Sequence, residues 1–209
     1  MSAEGHIARS TSSRLGGRRV GLGVVLILAS VAIGLGSAWW AVTRGSSEVG
    51  WTRDGAWESG RDIGTAATDP YSRARVALYG LWALPASEVV YFLARTDSSG
   101  QSLSVRCRYV IEGSELPARW WSLTVYRDFH YIDTPARRYS RHSQGLVRTA
   151  DGRFRITLDR EGRGENGLPL GPLPGVIALN LRLYQPALQG PAERDTLDLP
   201  QIIRTGCDP

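Results

Sequence analysis

Lysine is absent from this sequence, so all 25 of its basic residues are arginines. This absence excludes a P-loop lysine, a lysine Schiff base and a Ser-Lys dyad. The formal net charge is +5, but the arginines are interspersed with Asp and Glu, and four of them lie in the first 19 residues. The pattern is not that of a nucleic-acid-binding surface, and we expect no nucleic-acid partner.

Residues suited to metal binding or acid–base catalysis are also scarce, with three His and two Cys. His130 and His142 lie outside HxH and HExxH motifs, and two cysteines supply too few ligands for a metal ion. No serine occurs in a GxSxG or SxxK motif. We therefore expect no metal and no cofactor. The sequence permits an enzyme but does not indicate one.

The two cysteines, Cys107 and Cys207, form a candidate disulfide. Cys107 lies in an alternating segment in which Val105 and Tyr109 share its face, so its thiol is expected to point inward. In an oxidising compartment, a bridge to Cys207 would fasten the C-terminal tail to a central strand; in a reducing compartment, both thiols would stay free. Closing a loop of about 100 residues contributes about 4.7 kcal/mol in the chain-entropy model.

The chain from Val20 to Val42 contains no charged residue. As a helix this segment covers about 34 Å, enough to cross a hydrocarbon core about 30 Å thick. It predicts a transmembrane helix over residues 20–42 that anchors the protein in the membrane. The basic tail, residues 1–19, predicts a cytoplasmic N-terminus and a C-terminal domain in the periplasm or outside the cell. We expect a single-pass protein of the inner membrane.

A cleaved signal peptide is the alternative interpretation of the same segment. The small residues Gly36, Ser37 and Ala38 imitate a cleavage site. Trp39 and Trp40 instead suit an outer aromatic belt, and the uncharged run is longer than the ~7–15 residues of a usual signal-peptide core. These features favour a signal anchor, and both interpretations export the folded part.

The exported part divides into a linker, residues 43–68, and a domain, residues 69–209. The linker is rich in Gly and Ser, but Trp51 and Trp57 predict that part of it docks on the domain as an edge segment. Asp69 and Pro70 are typical of a helix start, and apolar residues at helical spacing predict a helix up to Pro85 that packs on a sheet.

From residue 87 onward the apolar period changes from helical spacing to two, which predicts β-strands. The predicted strands are residues 87–96, 103–112, 120–126, 153–158, 177–183 and 197–203. The turn at residues 97–100 predicts that the first two form a hairpin. Six or seven antiparallel strands with one packed helix favour an antiparallel β-sandwich of jelly-roll type.

Three segments in the exported part resemble one family in their order and spacing. They are residues 69–77 (DPYSRARVA), 96–98 (TDS) and 117–126 (PARWWSLTVY). The sequence is similar here to a bacterial envelope family, domain of unknown function 1214, over about residues 51–204. The resemblance implies a β-sandwich module that often forms the C-terminal half of a two-domain protein and has no agreed activity. In this chain we expect the predicted membrane segment to stand where such a relative carries its partner domain.

The candidate catalytic residues are His130, Asp128 and Asp133, which lie together after a strong strand. His130 would be a general base oriented by one of the two carboxylates. The alternative is a loop with solvated charges. Glu88 is a further candidate, but it and Asp97 lie near opposite ends of one strand, too far apart for a glycosidase pair.

Candidate ligand-binding residues lie on one strand. Trp120, Ser122 and Tyr126 project opposite to Trp121, and Arg119 precedes them. Aromatic faces beside arginines suit sugar rings and anionic glycans. The alternative is that both tryptophans are buried, one of them beneath the predicted helix.

A second candidate is the basic cluster that contains Arg137 and Arg138, which could bind phosphate, lipid headgroups or an acidic partner. The alternative is a solvated loop. Taken together, the sequence predicts a membrane-anchored binding or accessory module that recognises a glycan, a lipid or an envelope protein. A hydrolase-like enzyme using the loop around His130 is the alternative.

Overall fold

The computed structural model describes residues 12–45, 51–60, 63–78, 84–128, 130–135, 137–188 and 196–208. The chain divides into two compact units, Met1–Ser47 and Glu48–Pro209. The first unit is helical where it is described. The second is mainly β with antiparallel sheets, in agreement with the fold class predicted from the period-two pattern.

Helix α1, Ser12–Trp40, forms the described part of the first unit and continues as a π-helical turn, Ala41–Gly45. The helical segment Arg19–Thr43, which includes the first three residues of this turn, has a mean hydropathy of 2.3, and none of its most apolar window is buried. Its three hydroxyl side chains, on Ser30, Ser37 and Thr43, donate to helix carbonyl oxygens at 2.8, 3.0 and 2.7 Å. The helix is therefore long and apolar enough to span a membrane, with these polar groups already paired.

Eleven strands are described in the second unit, and they form two sheets. The strands are β1 Trp51–Asp54, β2 Trp57–Gly60, β3 Val89–Ala94, β4 Cys107–Gly113, β5 Ala118–Arg127, β6 His130–Tyr131, β7 Ser140–His142, β8 Phe154–Asp159, β9 Leu168–Pro169, β10 Ile177–Pro186 and β11 Gln201–Cys207. The larger sheet has the order β1-β2-β3-β10-β5-β6, with β7 also paired to β5. The smaller sheet has the order β11-β4-β8-β9, in which only β8 and β9 are parallel.

Both sheets contribute to one hydrophobic core because alternate residues of each strand point the same way. In β10, Leu179, Leu181 and Leu183 are fully buried. Across the core, Trp121 of β5 contacts Phe154 of β8 with ring centroids 4.8 Å apart. The predicted strands at residues 120–126, 153–158 and 177–183 correspond to β5, β8 and β10.

The predicted hairpin between the strands at 87–96 and 103–112 forms only at its turn. There Thr96 and Ser102 make an antiparallel bridge and the Asp97 amide donates to the Gln101 carbonyl at 2.8 Å, but the pairing does not extend along the two strands. Strand β3 pairs with β2 and β10 in the larger sheet, whereas β4 pairs with β11 and β8 in the smaller one. The connecting turn carries the chain between the sheets and is hydrogen-bonded to β11. The Ser98 amide donates to the Ile202 carbonyl at 2.9 Å, and the Ile202 amide donates to Ser98 Oγ at 2.8 Å.

Helix α2, Pro70–Leu78, begins where the sequence predicts. The Asp69 carboxylate caps it, accepting hydrogen bonds from the amides of Tyr71 at 2.9 Å and Ser72 at 3.1 Å. The predicted continuation to Pro85 runs through residues 79–83, which lie outside the described residues. None of the described α2 side chains is buried, and Leu78 is 57% exposed. Its packing on a sheet stays a prediction.

The segment expected to dock on the domain forms the hairpin of β1 and β2, and β2 pairs with β3. Trp57 is the buried anchor of this hairpin. Its side chain is 2% exposed, and its indole N–H donates to the Pro200 carbonyl at 2.7 Å. The first strands of the larger sheet therefore come from the stretch that the sequence indicates as a linker.

Cys107 and Cys207 lie opposite each other in the β4–β11 pair, with their sulfurs at a disulfide-bond distance of 1.98 Å. This confirms the predicted pairing. The bridge closes a loop with a sequence separation of 100 residues. It fastens the last strand of the smaller sheet to a strand of the core.

A buried ion pair also attaches β11. Asp97 Oδ2 lies 2.8 Å from Arg204 Nε, and the Asp97 side chain is only 1% exposed. Asp97 Oδ1 accepts hydrogen bonds from Ser99 and from the Gln101 amide at 2.9 Å. Burial alone would raise the pKa of Asp97, but these hydrogen bonds and the Arg204 charge outweigh burial and hold the pKa below its ordinary value of 3.8.

The first prediction concerns the disulfide. Replacing both Cys107 and Cys207 by Ser should lower the free energy of unfolding of the detergent-solubilised chain by about 2–5 kcal/mol, because the denatured chain regains loop freedom. Urea denaturation with and without reductant measures the change. Reductant should destabilise the parent chain and leave the double variant unaffected. Equal stability of the parent chain with and without reductant would contradict the assignment.

The second prediction concerns Asp97. Its lowered pKa contributes stability that is complete above pH 3.8 and is lost as the pH falls through the lower folded-state value. Asp97→Asn should cost about 3 kcal/mol at neutral pH, because Arg204 then lacks its partner, and should flatten the stability curve below about pH 4. The matched control is Glu161→Gln in the exposed Glu161–Arg163 pair, which should change stability by less than about 0.5 kcal/mol. Equal effects of the two variants would overturn this assignment.

Candidate ligand-binding site

Strand β5 separates its two adjacent tryptophans onto opposite sides of the larger sheet. Trp121 is fully buried in the core, and its indole N–H donates to Glu115 Oε1 at 3.1 Å. Trp120 lies on the other side, which we call the outer face, and is partly exposed. The two-residue alternation predicted this separation, and the indole of Trp120 is available to a ligand.

Trp120 belongs to an aromatic cluster built from three neighbouring strands, which we call the tryptophan cluster. Its ring centroid lies 4.8 Å from that of Tyr184 on β10 and 5.6 Å from that of His142 on β7. The strand register explains the grouping, because Tyr184 pairs directly with Trp120 and His142 pairs with Ser122. The sheet therefore fixes the positions of these rings.

An open pocket of about 260 Å³ adjoins the tryptophan cluster. Trp120 and Tyr184 supply aromatic surface, while Glu88, Arg119 and Gln185 supply a carboxylate, a guanidinium and an amide. Arg119 Nη1 donates to Gln185 Oε1 at 3.0 Å, which orients both side chains. The pocket thus combines aromatic faces with hydrogen-bond donors and acceptors at one end of β5.

A second cluster, which we call the phenol cluster, lies farther along β5. The rings of Tyr126 and Tyr131 are stacked with centroids 5.3 Å apart, and Tyr139 lies 5.0 Å from Tyr131. Arg182 of β10 donates to the Tyr126 hydroxyl at 2.6 Å and to Thr124 Oγ1 at 3.2 Å. Its guanidinium carbon also lies 5.8 Å from the centre of the Tyr126 ring, within range of a cation–π contact.

The two clusters belong to one electrostatic environment. Tyr126, through its charge when ionised and through a hydrogen bond, raises the pKa of Tyr131 above its ordinary value of 10.0. Burial and the Tyr184 phenol act in the same direction, and the positive charge of Arg182 opposes them. The Tyr131 phenol therefore stays protonated at neutral pH and can donate a hydrogen bond.

The four predicted ligand residues of β5 lie in different environments. Arg119 and Trp120 meet at the pocket, and Tyr126 lies in the phenol cluster. Ser122 lies between the clusters and is only 5% exposed, although it faces away from the core. A ligand on the outer face would have little access to Ser122.

The predicted basic cluster is largely occupied by contacts within the protein. Arg138 Nη2 donates to the Gly162 carbonyl at 3.0 Å, and Arg141 Nη2 donates to the carbonyls of Glu165 at 2.7 Å and Gly167 at 3.0 Å. Burial and then the Arg138 charge lower the pKa of Arg141. These arginines hold the loop that follows β8. Arg137 is exposed.

The candidate catalytic residues of the 128–133 segment do not form a pocket. His130, Asp128 and Asp133 are all exposed. Among the described residues, the His130 imidazole has no hydrogen bond to either carboxylate. His130 lines neither the pocket beside Trp120 nor a second pocket of about 310 Å³, which lies beside the hairpin of β1 and β2.

Glu88 lies at the opposite end of the larger sheet from His130. It lines the pocket at Trp120, whereas His130 pairs with Arg127. Seven residues of extended strand separate Trp120 from Arg127, about 24 Å. Glu88 and His130 therefore cannot act on one bond. In the described ranges, no group of three or more His, Cys, Asp or Glu side chains is placed to hold a metal ion.

Several residues of the outer face were not among the sequence candidates. Tyr184 and Arg182 alternate with the buried leucines of β10, and this pattern alone marks them as facing away from the core. His142 and Tyr131 lie on short strands with no comparable signal. Their association with Trp120 and Tyr126 depends on which strands lie beside β5.

Residues 88–188 match the model of the family described as a protein of unknown function, DUF1214. The chain carries a DUF1214 region. This confirms the family resemblance over residues 88–188, a shorter range than the expected 51–204 that leaves out the segment 69–77. The matched region includes β3 through β10 with both aromatic clusters. No curated protein matches the sequence.

Two solved structures are similar to the chain. The VPA0106 protein from Vibrio parahaemolyticus is 24% identical with a TM-score of 0.53, over 65% of this chain and 35% of its own. An uncharacterized protein from Burkholderia cenocepacia is 18% identical with a TM-score of 0.40, over 82% of this chain and 41% of its own. The chain thus spans less than half the length of either protein, and the likeness to the Vibrio protein shows a shared fold alone.

Proposed function

We propose that this protein is a membrane-anchored binding module of the bacterial envelope that recognises a glycan on the outer face of its larger sheet. The observation that carries the proposal is the open pocket in which Trp120 and Tyr184 stand beside Arg119, Glu88 and Gln185. Sugar rings present apolar C–H faces and a rim of hydroxyl groups. Aromatic rings next to a guanidinium, a carboxylate and an amide match both parts.

The size and openness of the pocket favour one ring of a longer molecule. Its volume of about 260 Å³ lies just below the ~300–1,000 Å³ typical of sites that enclose drug-sized ligands. An open pocket of this size suits a single ring whose neighbours continue along the sheet. The phenol cluster lies farther along β5 from the pocket. It offers further aromatic surface for the neighbouring sugar rings.

The proposal also specifies where the protein lies in the cell and which type of β fold its domain has. Helix α1 serves as a single-pass anchor of the inner membrane, and the four arginines within residues 1–19 keep the N-terminus cytoplasmic. The β domain then lies in the periplasm or outside the cell, where the Cys107–Cys207 bridge would persist. As the finer fold we propose a jelly-roll-like sandwich, which two mainly antiparallel sheets with one shared core support. The apolar composition of α1 also suits a cleaved signal peptide. Both a signal anchor and a signal peptide would export the β domain.

The third prediction tests glycan binding. On a glycan array, the detergent-solubilised chain should bind at least one glycan, and Trp120→Ala should weaken that binding about tenfold or more, since stacking on the indole is lost. The matched control is Tyr71→Ala, which removes an aromatic side chain that is 52% exposed on α2 and does not line the pocket. Titration calorimetry measures both variants.

Two results would count against glycan recognition. One is an array on which no glycan binds. The other is a bound glycan whose affinity is the same for the parent chain and for Trp120→Ala, provided that both proteins show the same circular dichroism spectrum.

The fourth prediction tests the anchor. The intact chain of 22.9 kDa should remain in the membrane pellet after extraction with alkaline carbonate. Leu28→Arg places a charge near the centre of α1 and should reduce membrane retention, because a guanidinium in the hydrocarbon core is costly. Leu28→Val is the matched control. Recovery of a soluble chain that begins near residue 39 would show a cleaved signal peptide instead.

A further inference from the structure

We infer that the glycan recognised by this face is acidic, and that Arg182 binds its carboxylate or phosphate group. The inference rests on the proposed function and adds the chemical class of the ligand. It starts from the position of Arg182 on β10, where its direct strand partners are Tyr91 of β3 and Ser122 of β5. Arg182 therefore lies on a central strand of the larger sheet, between the tryptophan cluster and the phenol cluster.

The charge of Arg182 has no acidic partner among the residues that the structure describes. Of the carboxylates in the described ranges, none makes an ion pair with its guanidinium. Its two assigned hydrogen bonds go to the neutral hydroxyls of Thr124 and Tyr126. A guanidinium has five N–H donors, so these contacts leave donors and the full positive charge for a ligand.

The setting of Arg182 strengthens its attraction for an anion. The side chain is partly buried among aromatic rings, where an ionic hydrogen bond is screened less than in bulk water. Thr124 and Tyr126 hold the guanidinium in place before a ligand arrives, which reduces the entropy lost on binding. Planar guanidinium groups match carboxylates and phosphates through paired N–H donors.

The surrounding residues complete an acidic-glycan site. Six residues of extended β5 separate Trp120 from Tyr126, about 20 Å, so the face is long enough for several sugar rings. Arg119 adds a second positive charge at the pocket, where Glu88 is the one carboxylate among the described lining residues. The protonated phenol of Tyr131 adds a neutral donor at the other end. The outer face thus favours a chain of rings that carries negative charge.

The competing explanation is that Arg182 serves only to hold Tyr126 in place. If that structural role were the only one, removal of Arg182 would weaken the binding of acidic and neutral glycans equally. The acidic-ligand role instead makes the loss selective for charged sugars. The ratio of affinities for matched acidic and neutral glycans therefore separates the two roles.

The test uses two pairs of probes with the detergent-solubilised full chain. One pair is hexagalacturonic acid and its fully methyl-esterified form, and the other is a phosphorylated mannose oligosaccharide and its dephosphorylated form. The parent chain should bind the acidic member of at least one pair about tenfold or more tightly than its neutral member, and added salt should reduce that preference. The pair that shows the preference identifies carboxylate or phosphate as the anion.

Two substitutions assign the preference to Arg182. Arg182→Gln should reduce the acidic-to-neutral affinity ratio several-fold, leaving only the part that Arg119 supplies, and Arg182→Lys should retain more of the preference because the positive charge remains. Melting temperatures check that both variants are folded. An unchanged ratio in Arg182→Gln, or an equal loss for acidic and neutral probes, would overturn the inference.

The same experiment separates this inference from the proposed function. Binding of the neutral members as tightly as the acidic ones would leave glycan recognition in place and overturn the acidic preference. Binding of none of the four probes, together with an empty glycan array, would overturn both.

Discussion

The alternation of residues along β5 is the constraint on which the rest of the domain depends. One side of this strand supplies Trp121, Leu123 and Val125 to the core, and all three are at most 1% exposed. A shift of one residue would turn these side chains outward and bring Trp120 into the core, at a large cost in buried apolar surface. The core therefore fixes the register, and the register places the proposed ligand-binding residues on the outer face.

The two sheets divide the tasks of the domain. The smaller sheet is held at its edge strand, β11, by the Cys107–Cys207 bridge and by the buried pair of Asp97 and Arg204. The larger sheet presents rings and charges on its outer face. Covalent and ionic contacts of the smaller sheet support the shared core, and a rigid core lets the outer face hold its side chains in position before a ligand binds.

Local sequence patterns predicted the strands and the helix start, which depend on residues close together in the chain. Apolar alternation located β5, β8 and β10, and the Asp69 cap located the start of α2. The pairing of distant strands has no local signal. The turn at Asp97 is typical of a hairpin, yet its carboxylate pairs with Arg204 more than 100 residues away, and the chain crosses to the other sheet.

The candidate site shows the same limit. Trp120 and Tyr126 share one strand, so period two was enough to place them on one face. The contribution of Arg182 required knowing that β10 lies beside β5, and that of His142 required knowing that β7 does. Arg138 appeared as a ligand candidate because clustered arginines are typical of anion sites, but the structure directs its guanidinium to the Gly162 carbonyl.

The most direct test of the central claim compares alanine substitutions at the two adjacent tryptophans. Equilibrium unfolding in urea should show that Trp121→Ala lowers the free energy of unfolding by about 3–5 kcal/mol, because it empties a fully buried site in the core. Trp120→Ala should lower it by about 1 kcal/mol or less, because a partly exposed side chain outside the core is lost. Equal costs, or a larger cost at Trp120, would contradict the register of β5 and the outer face that follows from it.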